Sequence, residues 1–506
     1  MLGDKTPSWV DGEERPAAVD VVEAGEAGEA GVGDESMASV GLFGEVRVVT
    51  TASAGRVVVM DEELAMDGDS ESSGTHLPPK RSLGWRTVGV IQVGDVVGVG
   101  ILTMGAAFCQ LGWAMAILFL CLMLALNVYT GILLSRSLAL LPGSYSYKLM
   151  AHYAVGKRWF TALVQFVFYI YVTLALGGYV LQVGQSLAEV FYGTSLCGPI
   201  WSAFAVLILL LPLQLRSFGE ARWLMWLNSA LIFVSVWICL GVMLSNMDAH
   251  HAANPGSAVT YVVPPNLDAM TFFNGVSKIC FAYLGQYVYL NFASEMRRPQ
   301  DFGKSFAISA PFQFGMYLAV GVIGYLYGGP KAGDSITLVL NPATESVLLI
   351  IACSMLLAHL VISYLIKALV LIRNFHVALS PKTVNSNSFK ARFIWFSLSA
   401  ALVSMTYVVA NAIPIFGQLT SLLGALFGPL LGYIFPSIFF IAAHRKAGKP
   451  VRTAEKVLLA IIVVFSVVLM VAGTVSNVLS ILKAIKAGTP GPFECRMGSY
   501  ADHFVS

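Results

Sequence analysis

Residues 94–100 read GDVVGVG, three glycines and one acid in the middle of an apolar run of about residues 87–109. Each interior glycine costs a membrane helix about 1 kcal/mol of helix propensity, and a charged Asp95 at mid-membrane depth costs at least about 2.5 kcal/mol. Close helix packing through small residues explains the glycines but not Asp95. The stretch therefore favours an unwound segment, followed by a helix restarting near Ile101 whose positive N-terminus faces an anion such as a carboxylate.

The composition places this stretch in a membrane. The 506 residues are 57% hydrophobic and only 12% charged, the mean hydropathy is +0.73, and soluble proteins carry about 25% charged residues. Long apolar runs without period-two alternation predict an all-α integral membrane protein, because backbone groups in lipid need partners within the helix. Eleven spans are predicted, at about residues 87–109, 114–136, 159–188, 198–215, 223–245, 268–296, 305–328, 346–372, 393–411, 415–443 and 456–482.

The chain divides into three regions. Residues 1–80 are predicted to be an acidic, disordered cytosolic tail, since residues 1–79 hold seventeen acids, four bases and little apolar periodicity. The tail shows no basic segment followed by an apolar one, so no cleavable signal peptide is predicted. It is either a solvated spacer or a regulatory segment. Residues 81–485 form the transmembrane domain, and residues 486–506 a short extracellular or luminal tail.

The basic residues predict the orientation. The loops on the same side as the N-terminus hold seventeen lysines and arginines, whereas the loops on the opposite side hold one, Lys331. Because basic loops stay in the cytosol, the N-terminus is predicted to be cytosolic and, after eleven spans, the C-terminus to be outside. The near-neutral net charge of +2 argues against nucleic-acid binding.

A second break is predicted in span 6, where residues 281–287 read FAYLGQY. Aromatic residues, one glycine and a glutamine interrupt the apolar run there. Span 6 follows span 1 by five spans, and two broken helices at that distance are typical of an inverted repeat of five helices.

Both breaks resemble the amino acid/auxin permease family. Gly94–Trp113, GDVVGVGILTMGAAFCQLGW, resembles the first span of that family, although residues 104–106 read MGA where many members have L-P-x-A. Residues 274–304 resemble its sixth span, with Phe281-Ala282-Tyr283, Gly285, Glu295-Met296, Pro299, Asp301-Phe302 and Lys304. The resemblance covers about residues 84–445 and is strongest to fungal neutral amino acid permeases.

The resemblance implies a LeuT-type fold and secondary transport of amino acids, coupled to protons or sometimes to sodium. The substrate carboxylate would meet backbone N–H groups around Gly98, Val99 and Gly100. The ammonium would meet carbonyl groups near Asp95 and near the second break, where the candidate residues are Phe281, Ala282, Tyr283 and Gly285. Exposed N–H and C=O dipoles suit the two ends of a zwitterion.

Three charged or titratable residues are candidates for ion coupling. Asp95 is the one acid clearly at mid-depth and could carry a proton, bind the ammonium, ligate sodium or serve structure alone. His359, deep in span 8, is either a structural histidine or a partner in proton coupling. Lys278, one turn before the second break, could act as a fixed cation in place of sodium or extend towards the interface. Lys367 is predicted to extend towards the cytosolic interface.

The sequence shows no paired carboxylates, no metal-ligand spacing and no phosphate-binding loop, so it predicts neither an enzyme nor a cofactor. Cys197 and Cys495 map to the non-cytosolic side, where a disulfide between them is possible. The leading hypothesis is a proton-coupled importer of neutral amino acids in the plasma membrane, whose partners are its substrate and the bilayer. Alternatives are a sodium-coupled transporter, a vacuolar transporter, a channel and an amino acid-sensing receptor.

Overall fold

The computed structural model describes residues 83–486, except 193, 195, 215–221, 332–334, 336–339, 341–345, 385 and 414, together with residues 491–495. The predicted tail 1–80 and the end of the predicted C-terminal tail lie outside the described residues. The described chain is helical, and its one pairing of extended backbone is an isolated bridge between Leu83 and Met296. The helices are α1 (Trp85–Val96), α2 (Met104–Leu140), α3 (Tyr147–Val155), α4 (Arg158–Val190), α5 (Gly198–Leu210), α6 (Arg222–Ser245), α7 (Met247–Ala253), α8 (Ala269–Ala282), α9 (Gln286–Ser294), α10 (Phe302–Gly328), α11 (Ser346–Leu379), α12 (Phe389–Ala412), α13 (Phe416–Phe427), α14 (Phe435–Lys446) and α15 (Thr453–Lys486).

Eight helices in the described part of the chain are long and apolar enough to cross a membrane. One of them, Val99–Leu140, has 42 residues, but it consists of two helical segments joined across a non-helical residue rather than one continuous helix. It bends at Gly112, which has φ +70°. The N–H groups of the next two residues donate hydrogen bonds to the loop carbonyl oxygens of Tyr261 and Val262. These two segments contain the end of the first predicted span and all of the second. The total of eleven spans remains a prediction.

One short helix was not predicted from the sequence. The helix α3 begins after Ser146, whose side chain accepts a hydrogen bond from the Leu149 N–H at 3.3 Å. It ends at Gly156, which adopts the left-handed conformation with φ +71°. With nine residues, α3 is too short to cross a bilayer and connects α2 to α4.

A stripe of three glycines brings the tenth predicted span against α8. A Cβ atom on Gly424 would lie 2.9 Å from the Phe281 Cβ, and one on Gly428 would lie 2.6 Å from the Cys280 Sγ. Gly432 faces the next part of the same segment. These glycines therefore allow the tenth predicted span to pack closely on α8, and this contact fixes the position of the C-terminal end of α8.

Buried polar side chains attach the two broken segments to their neighbours. On α1, Gln92 Oε1 accepts hydrogen bonds from Ser305 and Ser309 of α10 at 3.0 and 2.9 Å. On α9, the Tyr289 hydroxyl donates to Asn127 Oδ1 of α2 at 2.8 Å. Since each short helix is held by bonds to a long one, the gaps after α1 and before α9 have fixed positions.

Candidate functional site

The first break lies between α1 and a 3-10 helix that spans Val99–Thr103. Gly98 separates them with φ −108° and ψ −137°, and its N–H bonds to the Val96 carbonyl oxygen at 2.9 Å. The first N–H groups of a helix have no acceptor within that helix. The predicted unwound segment is confirmed, and the N–H groups at Val99 and Gly100 are the ones that begin the new helix.

The second break lies between α8 and α9, at residues 283–285. The Leu284 N–H bonds to the Phe281 carbonyl oxygen at 3.1 Å, and the Gly285 N–H bonds to Gln286 Oε1 at 3.1 Å. The Gln286 side chain in turn donates to Thr130 on α2 at 3.3 Å. The predicted break in span 6 is therefore confirmed, with its edge anchored to α2.

The two breaks touch each other. A Cβ atom on Gly100 would lie only 2.7 Å from the Cα of Ala282, and one on Gly285 would lie 2.5 Å from the Val96 Cγ2. No side chain fits at either glycine unless a neighbour moves. The structure thus brings the candidate substrate-binding residues of span 1 and span 6 together at one place.

Tyr317 of α10 bridges the two breaks and was not singled out from the sequence. Its buried hydroxyl lies 2.7 Å from the Ala282 carbonyl oxygen and 3.0 Å from that of Val96. Ala282 and Val96 are the last residues of α8 and α1, so their carbonyl oxygens have no N–H donor within their own helix. A hydroxyl has one proton, so it shares this proton between two acceptors. A group with more donors, such as an ammonium, would satisfy both carbonyl oxygens.

Asp95 forms an ion pair with Lys367, just before the first break. Lys367 Nζ lies 2.7 Å from Asp95 Oδ1, and the two side chains are 13% and 15% exposed. The predicted extension of Lys367 towards the interface is wrong, because the ammonium turns inward to a carboxylate on α1. It also lies 5.5 Å from the centre of the Tyr179 ring, a distance at which a cation is attracted to the ring face.

Lys367 belongs to a polar face of α11 that also carries Ser363 and His359, at intervals of four residues. His359 is fully buried and its Nδ1 lies 2.9 Å from the Asn228 carbonyl oxygen, so Nδ1 carries the proton and donates it. The Asn228 side chain donates to Ser363 at 2.9 Å. His359 is thus placed two turns from Lys367, in contact with α6 rather than with Asp95.

A cavity of about 80 Å³ lies beside the ion pair, enclosed by α1, α4, α6, α9 and α11. Asp95, Lys367, Asn228 and Ser363 supply polar groups to its wall. The rest of the wall is largely apolar and aromatic, formed by residues such as Phe168. The cavity lies on the side of the breaks that carries the N-terminus of α1, which the charge distribution predicts to be cytosolic.

Lys278 is the third candidate for ion coupling. It is 2% exposed and stands on α8, one turn before the second break. The cavity beside Asp95 and Lys367 does not include it in its wall. In the described part of the chain, no three His, Cys, Asp or Glu side chains form a group that could hold a metal ion.

A disulfide joins Cys197 to Cys495 across a sequence separation of 298 residues, with the Cα atoms 5.3 Å apart. The preceding Phe493 donates its N–H to the Asn411 carbonyl oxygen at 3.0 Å. The described part of the C-terminal tail is therefore attached both to the start of α5 and to the end of α12.

This arrangement of helices is the LeuT-type fold of secondary transporters. The crystal structure of MhsT in complex with L-phenylalanine superposes with a TM-score of 0.55 at 14% sequence identity, over 80% of this chain and 99% of MhsT. That likeness, with the two broken helices five spans apart in the predicted order, defines the fold class.

The chain belongs to the family described as transmembrane amino acid transporter protein, the amino acid/auxin permeases, whose model matches residues 81–479. The N amino acid transport system protein of Neurospora crassa is 24% identical over 76% of this chain and 81% of its own length. Amino acid transporter AVT1B of Arabidopsis thaliana is 25% identical over 78% of this chain and 70% of its own. Members of this family are transporters rather than enzymes, and the chain is accordingly a multi-pass membrane protein with amino acids as its substrate class.

Proposed function

We propose that the chain is a proton-coupled symporter of neutral amino acids that works by alternating access. The single observation that carries the proposal is the ion pair between Asp95 and Lys367, next to the first break. An acid there can take up and release a proton at the place where the substrate binds, so occupation of the site and protonation can depend on each other.

The same pair favours the proton over sodium. A sodium ion at Asp95 would bring a second positive charge to a carboxylate that already holds the Lys367 ammonium at 2.7 Å, and like charges at close range repel strongly inside a protein. Lys367 instead supplies the positive charge permanently, and protonation of Asp95 separates the pair by removing the negative charge.

The backbone at the breaks suits a zwitterion. The N–H groups that begin the 3-10 helix at Val99 and Gly100 can receive the substrate carboxylate. The ammonium can replace the Tyr317 hydroxyl at the carbonyl oxygens of Val96 and Ala282, since it offers three protons where the hydroxyl offers one. Neither end of the substrate then requires a charged side chain of the protein.

A neutral substrate side chain suits the cavity. Its two charged residues, Asp95 and Lys367, compensate each other, and the remaining wall is largely apolar. A charged substrate side chain placed there would lose its hydration without gaining an unpaired partner of opposite charge in that wall.

We place the protein in the plasma membrane with a cytosolic N-terminus. The seventeen-to-one split of basic residues between the two sets of loops supports this orientation. The disulfide between Cys197 and Cys495 supports it independently, because such bonds persist on the oxidising side of a membrane. The cavity would then face the cytosol, as in one of the two end states of alternating access.

Uptake into liposomes that contain the purified protein tests the function. We expect saturable uptake of a labelled neutral amino acid in sodium-free buffer, accelerated when the outside is acidic and inhibited by other neutral amino acids. Uptake that requires sodium at constant pH would favour the sodium-coupled alternative. Non-saturable flux would indicate a channel, and binding without flux a receptor.

A further inference from the structure

A line of buried polar side chains runs along α4 from the ion pair to the other end of the helix. Tyr179, Gln182, Ser186 and Glu189 follow one another at intervals of three or four residues, so they share one face of the helix. All four are at most 3% exposed. From Tyr179 to Glu189 the line covers about 15 Å along the axis, half the thickness of the hydrocarbon core.

The inner end of this line touches the site already described. The Tyr179 hydroxyl hydrogen-bonds with the side chains of Lys367 and Ser363. A Cβ atom on Gly98 would lie 3.1 Å from that same hydroxyl. Tyr179 therefore stands between the first break, the Lys367 ammonium and the rest of the α4 face.

The middle of the line is unsatisfied in this conformation. Among the described residues, neither the nitrogen nor the oxygen of the Gln182 carboxamide has a hydrogen-bond partner, and neither has the Ser186 hydroxyl. Each such buried group costs about 1–3 kcal/mol. Native proteins rarely bear that cost without water or a second conformation that supplies the partners.

The outer end of the line is an acid. Glu189 is 1% exposed, and its carboxylate lies close enough to the Cys353 thiol of α11 to interact with it. The Cys239 thiol of α6 also lies close enough to interact with it electrostatically. On the α5 side the neighbour of this end of α4 is Trp201, which stacks on Phe191 and has no titratable proton.

We propose that this face of α4 is the route by which the coupling proton reaches Asp95 from the external side, and that Glu189 is its outer proton-binding site. When the outer half opens, water fills the space at Gln182 and Ser186 and satisfies their side chains. A hydronium ion gives its proton to the Glu189 carboxylate, and the protonated Glu189 passes it through this water to the Asp95 carboxylate. Lys367 remains an ammonium throughout, so one proton is gained by the site and one is lost by the external solution.

This inference rests on the proposed proton coupling. The experiment distinguishes a failure of the α4 route from a failure of proton coupling itself. Glu189→Gln keeps the size of the side chain and removes its charge, and Gln182→Leu removes the unsatisfied amide. Asp248→Asn is the matched control, since Asp248 is an exposed acid on the short helix α7. Two assays are compared in proteoliposomes: uptake driven by external acid, and exchange of labelled for unlabelled substrate at equal pH on both sides.

We expect Glu189→Gln and Gln182→Leu to slow acid-driven uptake about tenfold or more, as expected for loss of a positioned proton-transfer group. Exchange at equal pH should stay within about twofold of the wild type, because no net proton movement is needed, and Asp248→Asn should match the wild type in both assays. The melting temperature of Gln182→Leu should not fall, since an apolar side chain leaves no unsatisfied group.

Acid-driven uptake at the wild-type rate in both variants would overturn the route while leaving proton coupling intact. Equal loss of driven uptake and exchange would show that the α4 face has only a structural role, which also overturns the route. A wild-type protein whose uptake ignores the proton gradient would overturn the proposed function, and the route with it.

Discussion

Asp95 of α1 and Lys367 of α11, 272 positions apart in the sequence, form a nearly buried ion pair of 2.7 Å beside the break in the first span. The pair connects α1, which ends at the first break, to α11, a continuous helix of 34 residues. The charges of the two side chains cancel each other. If either residue is replaced by a neutral one, the remaining buried charge has no partner of opposite sign.

The first prediction concerns charge balance. Asp95→Asn or Lys367→Met alone should destabilise the protein by about 3–5 kcal/mol, since each leaves one buried charge without its partner. The double variant Asp95→Asn/Lys367→Met should recover much of that loss, yet it should not accumulate substrate. Thermal unfolding in detergent measures the first effect and proteoliposome uptake the second.

The exposed pair of Lys304 and Asp301 provides the control. Its nitrogen and oxygen lie 2.8 Å apart, but the Lys304 side chain is 64% exposed. Lys304→Met should therefore cost less than about 1 kcal/mol. A double variant at the buried pair that is no more stable than either single variant would contradict the charge-balance argument.

The second prediction concerns the contact between the two breaks. Gly100→Ala should reduce uptake severely, because the added methyl group would lie 2.7 Å from the Cα of Ala282. Gly315→Ala in α10 is the matched control: a Cβ there meets no atom within 4 Å, and alanine favours a helix by about 1 kcal/mol over glycine. Comparable uptake by both variants, at equal surface expression, would show that this close approach is not required for transport.

The third prediction concerns Tyr317. Tyr317→Phe should lower stability by about 1–3 kcal/mol, because the buried Ala282 carbonyl oxygen loses this donor, whereas that of Val96 keeps the Gly98 N–H. Saturating substrate should restore part of that loss if its ammonium replaces the hydroxyl. Thermal unfolding with and without substrate gives the answer. A variant that substrate stabilises no more than it stabilises the wild type would contradict the replacement.

The fourth prediction concerns topology. The Cys197–Cys495 bond should be present in protein isolated under non-reducing conditions, and a tag at the C-terminus should react with antibody on intact cells. Peptide mass spectrometry before and after reduction identifies the bond, and a tag at the N-terminus is the control that should stay protected. A protected C-terminal tag on surface-exposed protein would mean that the number of spans is even.

The two breaks were predictable because their signals are local. The first signal is the group of glycines beside Asp95, and the second is Gly285 among aromatic residues. Both conflict with a continuous apolar helix whatever packs around them. The boundary between the first two predicted spans, at about residues 110–113, coincides with the bend at Gly112, where the backbone is not helical. The sequence did not indicate that the carbonyl oxygens of Tyr261 and Val262 accept hydrogen bonds from the N–H groups that follow this bend.

The partners within the site were not predictable in the same way. The spacing of His359, Ser363 and Lys367 shows one polar face on α11, but the sequence does not indicate that Asp95 meets Lys367 rather than His359. Tyr317 is one of 19 tyrosines, and its position in a long apolar helix is typical of a core residue. Its role follows from the helix ends it meets, which only the packing of α1, α8 and α10 determines.

The central claim is that amino acid movement and proton movement are coupled at Asp95. Liposomes containing the protein and an internal pH-sensitive dye, in sodium-free buffer at equal pH on both sides, test it directly when a neutral amino acid is added outside. We predict that the interior acidifies with wild-type protein and that the signal is absent with Asp95→Asn, although the variant still exchanges labelled substrate. Substrate uptake by the wild type without any acidification, or acidification of equal size with Asp95→Asn, would contradict the account.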